Sequence, residues 1–373
     1  MTLNFNYIFS CITIWRFKRK NYNIINFIVI FKKALLDNVV SYLNGTDIES
    51  DDKKISRYFS THTGYYLITE NCHSLIDFTD IMNEAIREAR NNSNNAPYIF
   101  YDDKLFQQIS ESRRIEAMFP DAIANEEFLV YYQPKVELKR YRLHGAEALC
   151  RWKHEDKMIL PFKFIPVFER NGDIVELDFY MLEHVCRDLR KWLNEGKEIV
   201  RVSVNISRAH MGDRHLVEHI LSIIDKYEVP HLYIEIELTE TSTDVDYAEL
   251  GNIVRGLHSA GVNTSVDDFG VGYSSMNLLR ELPWNVVKID KGFVPLANGD
   301  AEDEKKIIML RAIITMAEAL GLRCIAEGVE TVEQVILLKE NGCYHAQGYY
   351  FDKPMPRNEF EERINTLTAI VRG

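Results

Sequence analysis

Two adjacent aspartates in the second half of the chain are the first residues that suggest chemistry. Asp267 and Asp268 belong to the stretch SVDDFGVGYSS, and Gly270 and Gly272 follow them at once. Successive residues of a strand point to opposite faces, so adjacent carboxylates converge on one target only where the strand ends and the backbone turns. An acidic surface turn is one interpretation, because Asp and Gly are common in turns. The other is a divalent cation that neutralises both charges.

Short apolar runs that alternate with helical stretches downstream of residue 110 are the elements that would position these aspartates. The eight runs are FLVYYQPKVEL, LHGAEALCRW, RVSVNIS, LYIEIELTE, NTSVDDFG, NVVKID, RCIAEGVE and HAQGYYF. Amphipathic helices are predicted between most of them, for example over EDEKKIIMLRAIITMAEALGL, which Gly321 would close as a C-cap. This order predicts an α/β fold, a (β/α)8 barrel of the TIM type, whose usual size is about 250 residues.

The last polar residue of each run indicates whether this barrel has a functional site. Chemistry in such barrels lies at the carboxyl ends of the strands. The residues found there are Glu147, Asn205, Glu237, Asp267 with Asp268, Lys288, Glu327 and Gln347. Several segments thus bring acids, amides and an ammonium group to one end of the barrel, which favours the metal site over the surface turn.

Composition and charge limit the classes of function. The chain has 373 residues, 46% of them hydrophobic, and a net charge of -12, which argues against a general binder of nucleic-acid polymers. Its six cysteines are scattered without zinc spacing, as expected for reduced thiols in the cytoplasm. The apolar runs near the N-terminus are shorter than the roughly 20 residues of a spanning helix, so we expect no membrane span and no signal peptide.

Seven linked motifs resemble those of the EAL-domain phosphodiesterases that hydrolyse cyclic di-GMP. They are EALCRW, VNIS, ELTE, DDFGVGYSS, KID, AEGVET and QGYYFDKP, in the family's order and spacing from about residue 115 onward. The resemblance implies a cytoplasmic, metal-dependent enzyme that opens cyclic di-GMP to linear 5′-pGpG and lowers cyclic di-GMP signalling. A receptor that binds the nucleotide without hydrolysing it remains the alternative.

The resemblance also implies roles for the polar residues. The expected ligands of a first Mg²⁺ or Mn²⁺ are Glu147, Asn205, Glu237 and Asp267. Asp267 would bridge to a second ion near Asp268, with Glu327 a further candidate. Hard oxygen ligands suit these metals.

Four further residues would support the reaction. Lys288 matches a lysine that orients the attacking water, Glu327 the general base, and Gln347 a supporting amide. Glu240 matches the residue that ties down the DDFGVGYSS loop. The alternative for Lys288 is a surface lysine that extends its charged end to solvent, and the alternative for Gln347 is an ordinary buried amide.

Substrate contacts are expected at Gln133, Leu149, Arg151, Asp290 and Pro354, which match positions of the family that contact the nucleotide. An arginine suits this role because its guanidinium pairs with phosphate through two hydrogen bonds. Packing at the barrel rim is the alternative for Arg151. The resemblance further implies a homodimer formed through the barrel.

The segment before the barrel resembles a second family. The stretch SLIDFTDIMNEAIREARNNSNNAPYIFYDDKLF resembles the closing helix and strand of a GGDEF domain, the diguanylate cyclase fold. Residues 1–110 are therefore interpreted as a truncated GGDEF-like segment without the glycines and paired acids that would hold GTP. Within this segment, residues 75–90 have apolar positions at helical spacing, and SESRRIEAMFPDAIANEE predicts a helix leading into residues 111–373, the EAL phosphodiesterase domain. A simple cap on the barrel is the alternative. Six basic residues before position 35 would also suit an anionic membrane surface or a protein partner.

Overall fold

The computed structural model describes residues 63–66, 98–239, 247–269, 279–295 and 301–366. The chain divides into two units, residues 1–111 and 112–373. The described strands of the first unit, β1 (Thr63–Tyr66) and β2 (Tyr98–Tyr101), pair in parallel. The helix predicted over 75–90 lies outside the described residues, and the GGDEF-like origin of this segment stays a prediction.

Eight strands form a closed barrel in the second unit, and each coincides with or overlaps one of the eight predicted runs. They are β3 (Phe128–Glu137), β4 (Arg142–His154), β6 (Arg201–Asn205), β7 (Ile234–Thr239), β8 (Asn263–Phe269), β9 (Val286–Ile289), β10 (Arg323–Ala326) and β11 (His345–Ala346). Neighbours in this order pair with each other, and β11 pairs with β3 to close the barrel. Two short strands, β5 (Lys157–Ile159) and β12 (Met355–Pro356), extend the sheet beside β4 and β3. The predicted barrel is confirmed.

The first barrel strand runs against all the others. β3 is antiparallel to both β4 and β11, whereas the remaining barrel pairs are parallel. Residues 138–141 form a turn between β3 and β4, in which Tyr141 has φ 52°. A turn this short can join only antiparallel strands, because a parallel pair needs a crossover of a dozen or more residues. The expected alternation of strand and helix therefore does not hold between the first two runs.

The helices of the described residues are α1 (Asp103–Ala124), α2 (Pro161–Asn171), α3 (Ile174–Asn194), α4 (Leu216–Lys226), α5 (Tyr247–Ser259), α6 (Ala301–Ala319), α7 (Val332–Glu340) and α8 (Arg357–Thr366). α1 includes most of the helix predicted to lead into the barrel, and it ends three residues earlier than the predicted stretch. α6 ends as expected, with Gly321 at φ 76°, in the left-handed region that favours glycine. Among the helices described, none is both long and apolar enough to cross a membrane.

The interior of the barrel is partly ionic. Apolar packing dominates where helices contact the barrel: Phe119 of α1, Phe128 of β3 and Phe168 of α2 have ring centroids 4.6 to 6.1 Å apart. Inside, Lys135 and Lys288 are buried together with several acids. Buried charges cost free energy unless they are paired, so these groups must contact one another. Their pairing creates the site.

Candidate active site

Lys288 lies among four carboxylates at one end of the barrel. Its Nζ atom is 2.6 Å from Oε2 of Glu237, 2.8 Å from Oε1 of Glu327, 3.0 Å from Oδ1 of Asp267 and 3.6 Å from Oε2 of Glu147. The lysine is 1% exposed, so the alternative of a surface lysine is wrong. We call these five residues the acidic centre.

Five different strands supply the acidic centre. Glu147 lies on β4, Glu237 on β7, Asp267 on β8 and Lys288 on β9, while Glu327 directly follows β10. Side chains alternate between the inside and the outside of a barrel, and neighbouring strands keep the same face at paired positions. The acidic centre thus depends on the register of the whole barrel rather than on any local motif.

Amide groups hold one of these acids in place. Asn205 donates from Nδ2 to Oε1 of Glu147 at 3.1 Å, and Gln347 donates from Nε2 to Oε2 of the same acid at 2.6 Å. Gln347 Nε2 also contacts Oε1 of Gln133 at 3.0 Å, and Gln133 donates to the backbone oxygen of Asp352. Among the described residues, the buried Oε1 atom of Gln347 accepts no hydrogen bond. Both predicted amides therefore contact the acidic centre.

Three of the acids fit a metal ion. Glu147, Glu237 and Asp267 each offer one carboxylate oxygen, and these oxygens lie within 4.8 Å of one another. All three residues are buried. Carboxylate and amide oxygens are the donors that Mg²⁺ and Mn²⁺ prefer. The donor set therefore fits the ion expected from the sequence.

Comparison with known proteins identifies the family of the chain. The EAL domain family matches residues 116–354, which is more than half of the chain. The chain belongs to the EAL-domain family. Among curated relatives of this EAL protein, the cyclic di-GMP phosphodiesterase NbdA of Pseudomonas aeruginosa is 33% identical over 298 residues, covering 79% of the chain and 37% of the relative. The signaling protein YkoW of Bacillus subtilis is 33% identical over 272 residues, covering 73% and 34%. The chain thus spans just over a third of the length of these relatives.

Solved structures share the barrel of this EAL domain. The PaMucR phosphodiesterase in complex with c-di-GMP has a TM-score of 0.62 and 32% identity, covering 66% of this chain and 99% of that one. The EAL domain of Mycobacterium smegmatis DcpA has a TM-score of 0.54 and 28% identity, covering 65% and 97%. The similarity is therefore concentrated in the barrel.

Burial and like charges set the pKa values in the EAL domain's acidic centre. Burial raises the pKa of Glu147, and the nearby Glu237 raises it further. Burial also raises the pKa of Glu327 to about 8, although Lys288 opposes the shift. For Glu237, burial acts in the same direction, but Lys135 and Lys288 together hold its pKa well below the usual range. The remaining repulsion between the acids favours the binding of a further cation.

The predicted substrate residues take varied positions. Leu149 and Arg151 follow Glu147 at alternate positions of β4, so all three side chains share one face of the strand. Arg151 donates to the backbone oxygen of Cys150 and lies 5.6 Å from the ring centroid of Tyr131. Asp290 accepts a hydrogen bond from the amide of Gly292 and caps a short 3-10 helix. Gln133 contacts Gln347, and Pro354 is half-buried. Their nucleotide contacts stay predictions.

Two predicted residues cannot be placed by their side chains. Glu240 lies outside the described residues, as does most of the DDFGVGYSS loop. Asp268 belongs to β8 by its backbone. Their roles stay predictions.

Sequence reasoning missed Lys135. This residue lies on β3, is 3% exposed and donates from Nζ to Oε1 of Glu237 at 2.8 Å. A signal was present, because Lys135 stands two residues after Gln133 and therefore on the same face of the strand. Without this signal, the run YYQPKVEL is interpreted as an apolar strand in which Gln133 is the one functional residue.

Proposed function

We propose that this EAL domain hydrolyses cyclic di-GMP to linear 5′-pGpG and so lowers cyclic di-GMP signalling. The acidic centre carries the proposal. Four carboxylates brought together around one ammonium group cost stability through desolvation and mutual repulsion. A site that only binds the nucleotide has no need of them, whereas a hydrolase that works with divalent ions does. The match of residues 116–354 to the EAL family and the similarity to cyclic di-GMP phosphodiesterases indicate that the substrate is cyclic di-GMP.

The reaction balances as the addition of one water to one phosphodiester. The water oxygen forms a bond to phosphorus, and the bond between that phosphorus and ribose O3′ breaks. The phosphate stays on the 5′ oxygen of the other nucleotide. The water gives up one proton, and the O3′ oxygen gains one. The site must therefore accept a proton and stabilise negative charge on the phosphate.

Glu147, Asn205, Glu237 and Asp267 would hold one Mg²⁺ or Mn²⁺, and Asp267 together with Asp268 would help to hold a second ion. Bound ions of this kind polarise the attacking water and offset charge on the phosphate oxygens.

The other side chains position water and substrate. Glu327, in its ionised form, takes the proton of the attacking water, and Lys288, whose Nζ atom is 2.8 Å from Oε1 of Glu327, orients that water. Gln347 fixes Glu147 by its hydrogen bond. Glu240 holds the DDFGVGYSS loop, as the resemblance implies. Arg151 pairs with a phosphate of the nucleotide, and the remaining contacts come from Gln133, Leu149, Asp290 and Pro354.

Incubation of the purified full chain with cyclic di-GMP and Mg²⁺, followed by separation of the nucleotides, tests the proposal. We expect pGpG from the wild type and from Glu333→Gln, a matched change on the exposed surface of α7, and none from Glu147→Gln. Nucleotide binding by the wild type without any pGpG would favour the receptor alternative.

We also propose that the chain forms a homodimer through the barrel. Ile308 is 66% exposed and Met309 is 49% exposed on α6, which gives this helix an apolar surface suited to a second copy. Light scattering at micromolar concentration should give the mass of two chains, and Ile308→Glu should shift it toward one. A wild-type mass of one chain would contradict the proposal.

A further inference from the structure

Lys135 connects the acidic centre to a second layer of polar groups deeper in the barrel. Its Nζ atom is 2.7 Å from Oγ of Ser203, 2.8 Å from Oε1 of Glu237 and 3.2 Å from Oε1 of Glu235. These contacts use the three donors of an ammonium group. Lys135 is therefore held on all sides, and its position relative to Glu237 is fixed.

The two oxygens of Glu237 consequently face two different cations. Oε1 contacts Lys135 at 2.8 Å, and Oε2 contacts Lys288 at 2.6 Å. Glu147 differs, because its oxygens accept hydrogen bonds from the neutral amides of Asn205 and Gln347. Of these two acids, only Glu237 has one oxygen held by an ammonium group from outside the acidic centre.

This asymmetry matters because divalent ions differ in how they use a carboxylate. Ca²⁺ takes six to eight oxygens at about 2.3 to 2.6 Å and often binds both oxygens of one carboxylate. Mg²⁺ demands an octahedron at about 2.0 to 2.1 Å and is bound by fewer protein oxygens. Lys135 is anchored at Oε1 by two further partners, Ser203 and Glu235, and repels a metal ion that would share that oxygen. Lys288 contacts Oε2 from within the acidic centre, where the charge of a bound metal ion would replace its own. Oε2 is therefore the oxygen of Glu237 that is left for metal binding.

We propose that Lys135 is a specificity-determining residue that makes Glu237 a one-oxygen ligand and thereby disfavours Ca²⁺ relative to Mg²⁺. The inference rests on the proposed metal-dependent function. It assigns Lys135 to the choice of metal rather than to the chemical step.

The test must separate this role from simple charge pairing with Glu235. Lys135→Met alone would leave Glu235 buried, and its remaining ionic partner in the described part of the chain would be the more distant guanidinium of Arg201, whose NH1 atom is 3.9 Å from Oε2 of Glu235. The double variant Lys135→Met/Glu235→Gln removes the lysine and the acid together. Glu235→Gln alone is the matched control, because it keeps the contact between Lys135 and Glu237.

The measurement is direct binding of Ca²⁺ and Mg²⁺ to the chelator-treated full chain by calorimetry, without nucleotide. Loss of a nearby positive charge strengthens the binding of both divalent ions, and this shared effect cancels in the ratio of the two Kd values. A change in the ratio therefore reports the effect of freeing Oε1 of Glu237 for metal binding. We expect the wild type and Glu235→Gln to agree within about twofold. The double variant should shift the ratio toward Ca²⁺ by roughly tenfold or more, the scale of effects from groups that hold metal ligands.

An unchanged ratio in the folded double variant would overturn the proposal. A second measurement needs no variant: in crystals of the wild type grown with Mn²⁺, Glu237 should bind the ion through one oxygen while Lys135 keeps the other. Coordination through both oxygens would also overturn it. Failure of the wild type to bind any divalent ion would instead contradict the proposed metal-dependent function.

Discussion

Replacement of Lys288 by Met should make the folding stability of the metal-free protein strongly dependent on pH. The ammonium group lies 2.6 to 3.6 Å from oxygens of four buried acids. Removing one partner of a buried ionic contact costs about 3 to 5 kcal/mol, because the remaining charge is left uncompensated. We expect a loss of that size in the free energy of unfolding near pH 8.

The sign of the pH dependence follows from the raised pKa values of Glu147 and Glu327, the latter at about 8. An acid whose pKa is higher in the folded state binds protons more tightly there, so stability falls as pH rises from the unfolded pKa to the folded one. The metal-free wild type should lose stability from about pH 4.5 to pH 8. In Lys288→Met the ammonium group no longer neutralises the acids, so only their protonation can relieve the repulsion between them. The difference in free energy of unfolding between the wild type and Lys288→Met should therefore shrink toward pH 5.

Urea unfolding with a chelator at pH 5 to 8, repeated with saturating Mg²⁺, measures these effects. A ligand at a hundred times its Kd adds about 2.7 kcal/mol, and the variant should gain more than the wild type at equal Mg²⁺ because the ion replaces the lost positive charge. Lys305→Met, an exposed lysine of α6, is the control and should leave the curves unchanged. An equal deficit at pH 5 and pH 8, with no extra gain from Mg²⁺, would refute the reasoning.

Four further predictions concern the reaction and the N-terminal segment. Asp267→Asn should lower the rate of single-turnover hydrolysis on the order of a thousandfold, because it removes a charge that helps to hold the ions. Glu327→Gln should abolish turnover while nucleotide binding persists, since an amide cannot accept the proton; near wild-type rates would remove this residue from the role of base. Arg151→Ala should mainly raise KM in steady-state assays, and a loss confined to kcat would contradict ground-state phosphate binding. GTP and Mg²⁺ should yield no cyclic di-GMP, and synthesis by the purified chain would disprove the inactive GGDEF-like segment.

The candidate site could be predicted largely because barrels place chemistry at the carboxyl ends of their strands. Glu147, Glu237, Asp267, Lys288 and Glu327 each stand in or just after an apolar run, so the barrel hypothesis alone brings them together. Distances could not be predicted in the same way. Whether Lys288 meets one acid or four depends on the register of several strands, which no local pattern specifies.

The reversed first strand and Lys135 show where pattern alone was insufficient. The few residues between FLVYYQPKVEL and LHGAEALCRW leave no room for a crossover helix, but counting alternating elements concealed this. Lys135 sits in an otherwise apolar run, where a single lysine gives no sign of whether it faces solvent or the barrel interior. Only the packed barrel shows that it is buried against Glu237.

The antiparallel direction of β3 also makes the protein suitable for engineering. Because β3 runs against β4, the turn at residues 138–141 lies at the end of the barrel opposite the acidic centre. Exposed turns of this kind tolerate inserted sequence and new chain termini. A reporter domain inserted after Arg140, or a circular permutant opened there, would leave every strand end that supplies the acidic centre in its native connection. The hairpin thus offers a place to attach a probe of nucleotide occupancy without entering the catalytic face.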